Sequence, residues 1–382
     1  MIITKARSFR TPDIGRYAWA GLRRFQNSEY VAELLNRLHR PEKKYATDVR
    51  KQASQIRYCI GQASEYASAA GGVSLATKPT LLYYCAMSLA LVEILFKQTG
   101  RSNLDKVREH NRHHGLILKG ELPRPSAIPL TEMAASIYAS PLEVGSGSRR
   151  GTFELWHREC REAPLTAIKT VHHPGGGSTS GLEIVGMPRD QQLMPVPTSG
   201  ITLLDCLTSI PNFSQTLSGF GIKGQMLRAK VEASVQTNKK GRVTFIIHPN
   251  DQALVEEFQA NFLISARSWS KVDVLDIGTG GCIIRIDDDE DIEWNVPPVA
   301  PSRKGEVWFW PTARPLNEFG YLYVALFILG NCARYFPDRW VAAVEASTPL
   351  ALLVEELLLL AEVRLPLLTL SELSLTALCE ED

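Results

Sequence analysis

Residues 81–96 read LLYYCAMSLALVEILF, and this almost uniformly apolar segment constrains the fold more than any other part of the chain. A helix that is apolar on every side must be covered by other protein or by lipid. The segment is shorter than the roughly 20 residues of a membrane-spanning helix, and it contains Glu93. It therefore predicts the central helix of a bundle. Lys78-Pro79 is expected to begin that helix, because a first-turn proline forfeits no helical hydrogen bond.

A second apolar segment, residues 350–370, contains four charged residues, and Pro366 is expected to break its helix. Neither segment has the pattern of a membrane span. The first residues, MIITKARSFRTPDIG, contain no apolar secretory leader. The seven cysteines form no CxxC pair, and their odd number favours reduced, buried thiols over a disulfide framework. These features predict a cytoplasmic protein that has no contact with a membrane.

The spacing of apolar residues divides the chain into three regions. Helical periodicity occupies residues 15–70, and Gly71-Gly72 is expected to end a long amphipathic helix. Gly, Pro and Ser are frequent from 120 to 200, where HHPGGGSTSG predicts a flexible loop. A period of two between about 225 and 310 predicts paired strands, and helical patterns then return. The predicted class is a helix-dominated α+β fold, in which N- and C-terminal helices form a bundle around a β-containing middle region.

This pattern also places the domain boundaries. The prediction is an N-terminal helical region over 1–118 and a middle β-rich region with loops over 119–315. The C-terminal helices, 316–382, are expected to pack on the N-terminal region.

Two stretches of the chain together form a recognisable family pattern. In the first, Lys78-Pro79 precedes the buried helix with Tyr83-Tyr84, and a His114-Gly115 pair follows downstream. In the second, an aromatic-rich helix leads into Arg-Tyr-x-Pro-x-x-Trp, which is formed by Arg334, Tyr335, Pro337 and Trp340. Together these stretches resemble the YaaC-like family of bacterial proteins. The resemblance implies a bacterial or phage-related cytoplasmic setting, and it implies no settled activity.

The densest polar stretch, residues 108–114, supplies the candidate catalytic residues Arg108, His113 and His114. The Arg-x4-His spacing of Arg108 and His113 resembles the motif of HEPN ribonucleases, which are helical, often dimeric and independent of metal. That resemblance implies a histidine acting as acid or base toward a 2′-hydroxyl and an arginine stabilising charge on phosphate. The alternative is a solvated helix end, where cationic residues complement the helix dipole and Gly115 follows the helix.

Other motifs point to no cofactor and no metal. VDVLDIGTGG, residues 272–281, resembles the first motif of S-adenosylmethionine-dependent methyltransferases, but a strand-like pattern follows it instead of a helix. We therefore interpret it as a hairpin turn. The acidic run Asp287–Asp291 is typical of a solvated loop, and the sequence leaves its role open. His172-His173 has no Cys, Asp or Glu partner at ligand spacing.

An aromatic-rich segment from Trp308 to Trp340 admits two interpretations. With Arg314 and Arg334 its rings could stack on bases, whereas aromatic residues at strand and helix spacing more often form core. The net charge of +1 creates no global field for nucleic acid. Arg334 and Asp338 are spaced to pair near a helix end.

The sequence favours a protein that acts by interaction with another protein, within a multi-component system such as phage defence by analogy. The alternatives are a HEPN-like ribonuclease and a nucleic-acid-binding module. Another protein is thus the expected partner. The alternatives add two further possibilities, a homodimer and binding to RNA.

Overall fold

The computed structural model explains how the two apolar segments are covered. Its described residues are 3–98, 104–122, 130–145, 147–160, 163–186, 194–235, 241–248, 252–266, 271–276, 281–288, 299–303 and 306–381. The acidic run Asp287–Asp291 lies outside the described residues from 289 onward.

Helices dominate both ends of the chain. The N-terminal part contains β1 (Lys5–Phe9), α1 (Ile14–Leu22), α2 (Ser28–His39), α3 (Ala46–Gly71), α4 (Lys78–Lys97), α5 (Leu104–His110) and β2 (Leu116–Gly120). The next part contains α6 (Leu130–Ala135), β3 (Ile137–Pro141), β4 (Glu143–Val144), β5 (Ser148–Arg149), α7 (Thr152–Glu159), β6 (Leu165–His172), β7 (Ser178–Gly186), β8 (Ile201–Thr202), α8 (Leu203–Thr208) and α9 (Ser214–Gly219).

Strands are concentrated in the following part of the chain, and helices return after it. The strand-rich part contains β9 (Leu227–Val235), β10 (Gly241–Ile247), α10 (Gln252–Ala266), β11 (Lys271–Asp276), β12 (Cys282–Asp288), β13 (Val299–Arg303) and β14 (Glu306–Phe309). The last part contains α11 (Glu318–Tyr335), α12 (Pro337–Glu345), α13 (Pro349–Ser374) and β15 (Thr376–Glu380). Short 3₁₀ turns occupy Arg23–Gln26, Lys43–Tyr45 and Pro211–Phe213.

The helical bundle has α4 at its centre. Helices α3, α11, α13 and α7 all pack against α4, and α1 packs against α13. Thirteen residues of α4 are buried, from Pro79 in its first turn to Phe96 in its last. Because α11 is buried along almost its whole length as well, the two apolar helices cover each other. The predicted bundle of N- and C-terminal helices in a helix-dominated α+β fold is confirmed.

Among the described helices, α4 is long and apolar enough to span a membrane, and α11 with α12 passes the same test only as a pair bent by 105°. Most of the apolar stretch of α4 is buried inside the bundle. That burial is the property of a core helix, as the sequence predicted.

The main sheet has ten strands and joins the middle region to both chain ends. Its order is β1-β15-β13-β14-β9-β10-β12-β11, with the β6–β7 hairpin attached beside β9. One edge of β9 pairs with β10, while the other edge pairs first with β14 and then with β6. Strands β1 and β15 pair in parallel. Smaller sheets are formed by β2-β3-β8 and by β4-β5.

Two separate hydrophobic cores lie within this architecture. The larger core joins the bundle helices with residues of the middle region, among them Phe153, Trp156 and Phe213. The smaller core is formed by strands of the main sheet together with α10, and it includes Phe245, Phe258 and Phe309. Part of the middle region thus shares its hydrophobic core with the bundle helices. The domain boundaries at 118 and 315 stay a prediction.

Several local predictions are confirmed. The long third helix ends at Gly71, and α11 ends before Pro337. Strands β9 and β10 are antiparallel, as are β11 and β12, so the methyltransferase-like motif lies on a hairpin pair and does not lead into a helix. The turn of that motif, 277–280, lies outside the described residues. All seven cysteines are buried and unbridged.

Two local predictions are wrong. Residues 165–186, predicted as part of a loop region, form the β6–β7 hairpin, whose turn is closed by a hydrogen bond of 2.8 Å from His173 N–H to Gly177 C=O. Pro366 does not break its helix, since α13 continues to Ser374. The lost N–H costs one helical bond, but buried leucines on both sides of Pro366 hold the helix in the core.

Candidate functional site

The two stretches that carry the family resemblance meet at one surface of the bundle. Tyr83 and Tyr84 lie on α4, and Arg334 and Tyr335 lie 250 residues further on, at the end of α11. His114 reaches the same place from the loop after α5. We call this group, together with its neighbour Tyr66 on α3, the tyrosine–arginine cluster. Its members are Tyr66, Tyr83, Tyr84, His114, Arg334 and Tyr335.

Close packing of α11 on α4 brings the cluster together. A Cβ at Gly330 would lie 3.3 Å from Tyr83 Cβ, so the glycine allows α11 to approach α4. The Thr80 hydroxyl donates to Gly330 C=O at 3.3 Å. Beyond the end of α11, the Trp340 indole N–H donates to Ala76 C=O at 3.1 Å and fixes the direction of α12.

Arg334 is held by neutral groups. Its Nη1 donates to the Tyr84 hydroxyl at 2.9 Å, its Nε to Gly330 C=O at 3.2 Å, and its Nη2 to Asn331 Oδ1 at 3.4 Å. The guanidinium carbon lies 5.6 Å from the centre of the Tyr84 ring and 5.2 Å from that of Tyr335, within cation–π range. Arg334 is therefore a positively charged group fixed between two aromatic rings.

The aromatic rings of the cluster differ in exposure. Tyr66 stacks on Tyr84 at 5.4 Å between ring centres, and both are half-buried. Tyr83 is fully buried, whereas Tyr335 is 67% exposed. The cluster therefore has a buried base and an accessible rim.

His114 links the cluster to the loop after α5. Its Nδ1 lies 2.9 Å from the Tyr83 hydroxyl, and the tautomer of the ring decides which atom donates. Partial burial lowers the pKa of His114, and the positive charges of Arg334 and His113 lower it further. Burial also raises the pKa of Tyr83 well above its usual value. The pair is therefore neutral at neutral pH.

Two glycines fix the loop that carries His114. Gly115 (φ 91°) and Gly151 (φ 116°) adopt left-handed conformations and touch each other. The loop also closes the first turn of α7: Thr152 N–H donates to His113 C=O at 3.0 Å, and Phe153 N–H donates to His114 C=O at 2.9 Å. The His114-Gly115 pair of the family pattern therefore needs its glycine for backbone geometry.

Replacing Gly151 with alanine tests this account of the loop. The new Cβ would lie 2.4 Å from both the Cα and N of Gly115, so the loop must move. We expect a loss of about 2 kcal/mol in the free energy of unfolding, measured by denaturant titration, together with a changed NMR signal of His114. Gly145→Ala is the matched control, because Gly145 has φ 64° but no atom within 4 Å of its added Cβ. Equal losses in the two variants would contradict the role of the glycine contact.

The predicted catalytic residues occupy different environments. Arg108 is exposed on α5 and lines a shallow surface groove with Asp105, Lys106, Glu109 and Arg112. His113 is exposed in the following loop, while His114 turns to Tyr83. In the described part of the chain no hydrogen bond joins Arg108 to His113. Their catalytic role stays a prediction.

The aromatic segment is mostly core, as one of its two interpretations predicted. Trp310, Tyr321, Tyr323 and Trp340 are buried, whereas Trp308 is half-buried and Tyr335 is exposed at the end of α11. The anticipated ion pair of Arg334 with Asp338 does not form, since the chain bends by 105° between α11 and α12.

A second polar group, which sequence reasoning missed, lies inside the bundle. Glu93 accepts hydrogen bonds from the Trp156 indole N–H at 2.9 Å and from the Thr369 hydroxyl at 3.1 Å. Lys97 pairs with Glu372 at 3.0 Å, and Arg364 pairs with Glu318 through two bonds of 2.8 and 2.9 Å. A cavity of about 40 Å³ is lined by the three glutamates. Charged residues inside otherwise apolar helices are the signal that could have revealed this network.

Burial and neighbouring charges act against each other in this network. Burial raises the pKa of Glu93 to about 7, although Lys97 and the two hydrogen bonds act in the opposite direction. The nearby carboxylates of Glu372 and Glu93 overcome burial and raise the pKa of Lys97. Among the described residues, no group of three or more His, Cys, Asp or Glu side chains is arranged to hold a metal ion. The network is therefore built from ion pairs and hydrogen bonds.

Fold and cluster define a helix-dominated α+β protein whose two ends are joined at a tyrosine–arginine surface. The family model described as YaaC-like Protein matches residues 23–120 and 188–373, and the chain belongs to this family. All six residues of the cluster lie within the matched segments. Comparisons with curated proteins and with solved structures found no match.

Proposed function

We propose that this YaaC-like protein acts by binding another protein, and that the tyrosine–arginine cluster is the contact surface. The observation that carries the proposal is the fixed Arg334 guanidinium between Tyr84 and the 67% exposed Tyr335. Tyrosine and arginine, together with tryptophan, are enriched among the residues that dominate the binding energy of protein interfaces. A cytoplasmic setting and membership of a multi-protein system such as phage defence are part of this proposal.

Preorganisation also supports a binding role. Arg334 is immobilised by three hydrogen bonds, and Tyr84 is held between Arg334 and Tyr66. A partner would therefore lose little side-chain entropy on binding at these positions. The tyrosine rings present large apolar areas with polar tips, which suits a surface that is exposed when free and covered when bound.

Site-specific photo-crosslinking tests the proposal in cells. A benzophenone amino acid replaces Tyr335 in one variant and Tyr58 in another, since both tyrosines are 67% exposed. Tyr58 lies on α3, more than two helical turns before Tyr66. We expect a discrete protein adduct from position 335 and none from position 58. Adding Arg334→Gln to the position-335 variant should reduce adduct yield about tenfold, because a charged hydrogen-bonding anchor is lost.

Equal labelling at the two positions, or labelling insensitive to Arg334→Gln, would count against the cluster as the contact surface. Metal-independent cleavage of RNA that is lost in His113→Ala would instead support the ribonuclease hypothesis. RNA binding that weakens with salt and persists in His113→Ala would support a nucleic-acid-binding module.

A further inference from the structure

The charge of Arg334 is not neutralised within the described part of the chain. Its three hydrogen-bond acceptors are a phenol, a backbone carbonyl and a side-chain amide, and none is a carboxylate. The guanidinium is also half-buried, so water screens its charge less than it screens a fully exposed arginine. An anion arriving at this position would therefore meet an uncompensated charge.

Arg339, five residues further along the chain, also lies over an aromatic ring and allows a comparison with Arg334. Its guanidinium carbon lies 5.8 Å from the centre of the Phe336 ring, and its Nη1 donates to a Glu121 carboxylate oxygen at 2.6 Å. The arginine over Phe336 thus has its carboxylate in the same chain. Arg334 lies over Tyr84 and Tyr335 in a similar way, but no carboxylate among the described residues bonds to it.

The count of donors on Arg334 indicates what is missing. A guanidinium carries five N–H groups, of which Nε has one and each terminal nitrogen has two. One bond from Nε, one from Nη1 and one from Nη2 are used within the chain. Counting only the described residues, one N–H therefore remains on each terminal nitrogen. Donors on the two terminal nitrogens of one guanidinium can bind the two oxygens of a carboxylate.

We infer that the tyrosine–arginine cluster binds a carboxylate side chain of an acidic segment in the partner protein, with Arg334 as its anchor. This inference rests on the proposed function and names the chemistry of the partner. Tyr335 and Tyr84 supply the apolar walls beside the carboxylate, and His114 adds a polar side chain to the same surface. A carboxylate fits better than nucleic acid, because nucleic-acid binding depends on several cations and the chain has a net charge of only +1.

His114 provides a readout that reports on Arg334 directly. The positive charge of Arg334 is one cause of the lowered pKa of His114. A carboxylate bound to Arg334 would oppose that charge, so the pKa of His114 should rise on binding. NMR of isotope-labelled histidine rings follows this pKa in the full-length protein, and the ring of His157, buried and bonded to Pro315 C=O at 2.7 Å, reports whether the fold is intact.

The experiment adds three probes at constant ionic strength: capped hexaglutamate, capped hexaglutamine and inorganic phosphate. We expect hexaglutamate to raise the pKa of His114 and hexaglutamine to leave it unchanged. Arg334→Gln should by itself raise the pKa of His114, and should weaken hexaglutamate binding by about tenfold or more. Arg334→Lys should bind with intermediate affinity, since it keeps the positive charge and loses the paired N–H donors of the guanidinium. Arg339→Gln is the matched control and should change the affinity by less than about twofold.

Three results would overturn the inference. They are no response to hexaglutamate, a response to phosphate without one to hexaglutamate, or equal weakening by Arg334→Gln and Arg339→Gln. The crosslinking result separates the two proposals. An adduct at position 335 without hexaglutamate binding would support a protein partner but contradict its acidic chemistry. Hexaglutamate binding without an adduct would support a carboxylate site but contradict binding to a partner protein.

Discussion

Arg364→Met should lower the free energy of unfolding by about 3–5 kcal/mol, because it leaves the Glu318 carboxylate buried without its partner. Both side chains of this pair are almost completely buried, between α11 and α13, and two hydrogen bonds join them. Burial by itself would lower the pKa of Arg364, but the charge of Glu318 and its hydrogen bonds raise it, so the guanidinium stays charged. Denaturant titration of wild type and variant at neutral pH measures the loss.

A double variant distinguishes a lost partner from damaged packing. Glu318→Leu combined with Arg364→Met removes both charges and keeps apolar volume, so it should recover most of the stability lost in the single variant. Arg158→Ala is the surface control. Its pair with Glu154 lies on an exposed face of α7, and the expected change is within about 0.5 kcal/mol. A single variant that loses under about 1 kcal/mol, or a double variant as unstable as the single, would contradict the account.

Glu93→Gln should make the protein progressively more stable than wild type as the pH rises from about 4.5 to about 7. Burial raises the pKa of Glu93 from 4.5 to about 7, so the folded state binds a proton that the unfolded state releases in this window. Wild-type stability from this group is therefore full below about pH 4.5, falls between the two values and stays low above about pH 7. A shift of this size corresponds to about 3 kcal/mol.

The measurement is the difference in unfolding free energy between wild type and Glu93→Gln at pH 4.5, 6 and 7.5. Taking the difference between the two proteins cancels the contributions of most other titrating groups. Lys97 and Glu372 remain beside Glu93, and Glu318, which is paired with Arg364, lines the same cavity. Glutamine retains an oxygen that can accept from the Trp156 indole N–H, so most packing is kept. Glu29→Gln, on the exposed face of α2, controls for loss of one surface carboxylate. A pH-independent difference for Glu93→Gln would show that its proton is not coupled to folding.

The internal network and the surface cluster meet different requirements. Inside the bundle, Arg364 pairs with Glu318 and Lys97 pairs with Glu372. An unpaired charge at these buried positions would be costly. Arg334 is at the edge of the same bundle, where water reaches it and a partner can replace that water. Among the described residues, this difference in pairing is why we assign a structural role to Glu318–Arg364 and propose a binding role for Arg334.

How much of the site could be predicted differs from residue to residue. Tyr83, Tyr84, His114, Arg334 and Tyr335 were all recognised as parts of the family pattern, but nothing in the sequence shows that they touch. Their contacts depend on α11 crossing α4 at Gly330 and on the Gly115–Gly151 contact. Each of these two contacts joins segments that are separated in the sequence. Glu93 was visible as a charge in an apolar helix, whereas its partners Trp156 and Thr369 come from α7 and α13.

The sequence by itself determined the elements whose signal is local. Apolar periodicity and proline positions defined α3, α4 and the end of α11, and alternation defined the β9–β10 and β11–β12 pairs. Only the tertiary structure decided the continuity of α13 through Pro366, the parallel pairing of β1 with β15, and the meeting of Arg334 with Tyr84. Burial on both sides of Pro366 outweighs one lost hydrogen bond, and strand pairing across the whole chain leaves no local trace in sequence. Likewise, only the contacts of the described residues show that the hydrogen-bond partners of Arg334 there are all neutral.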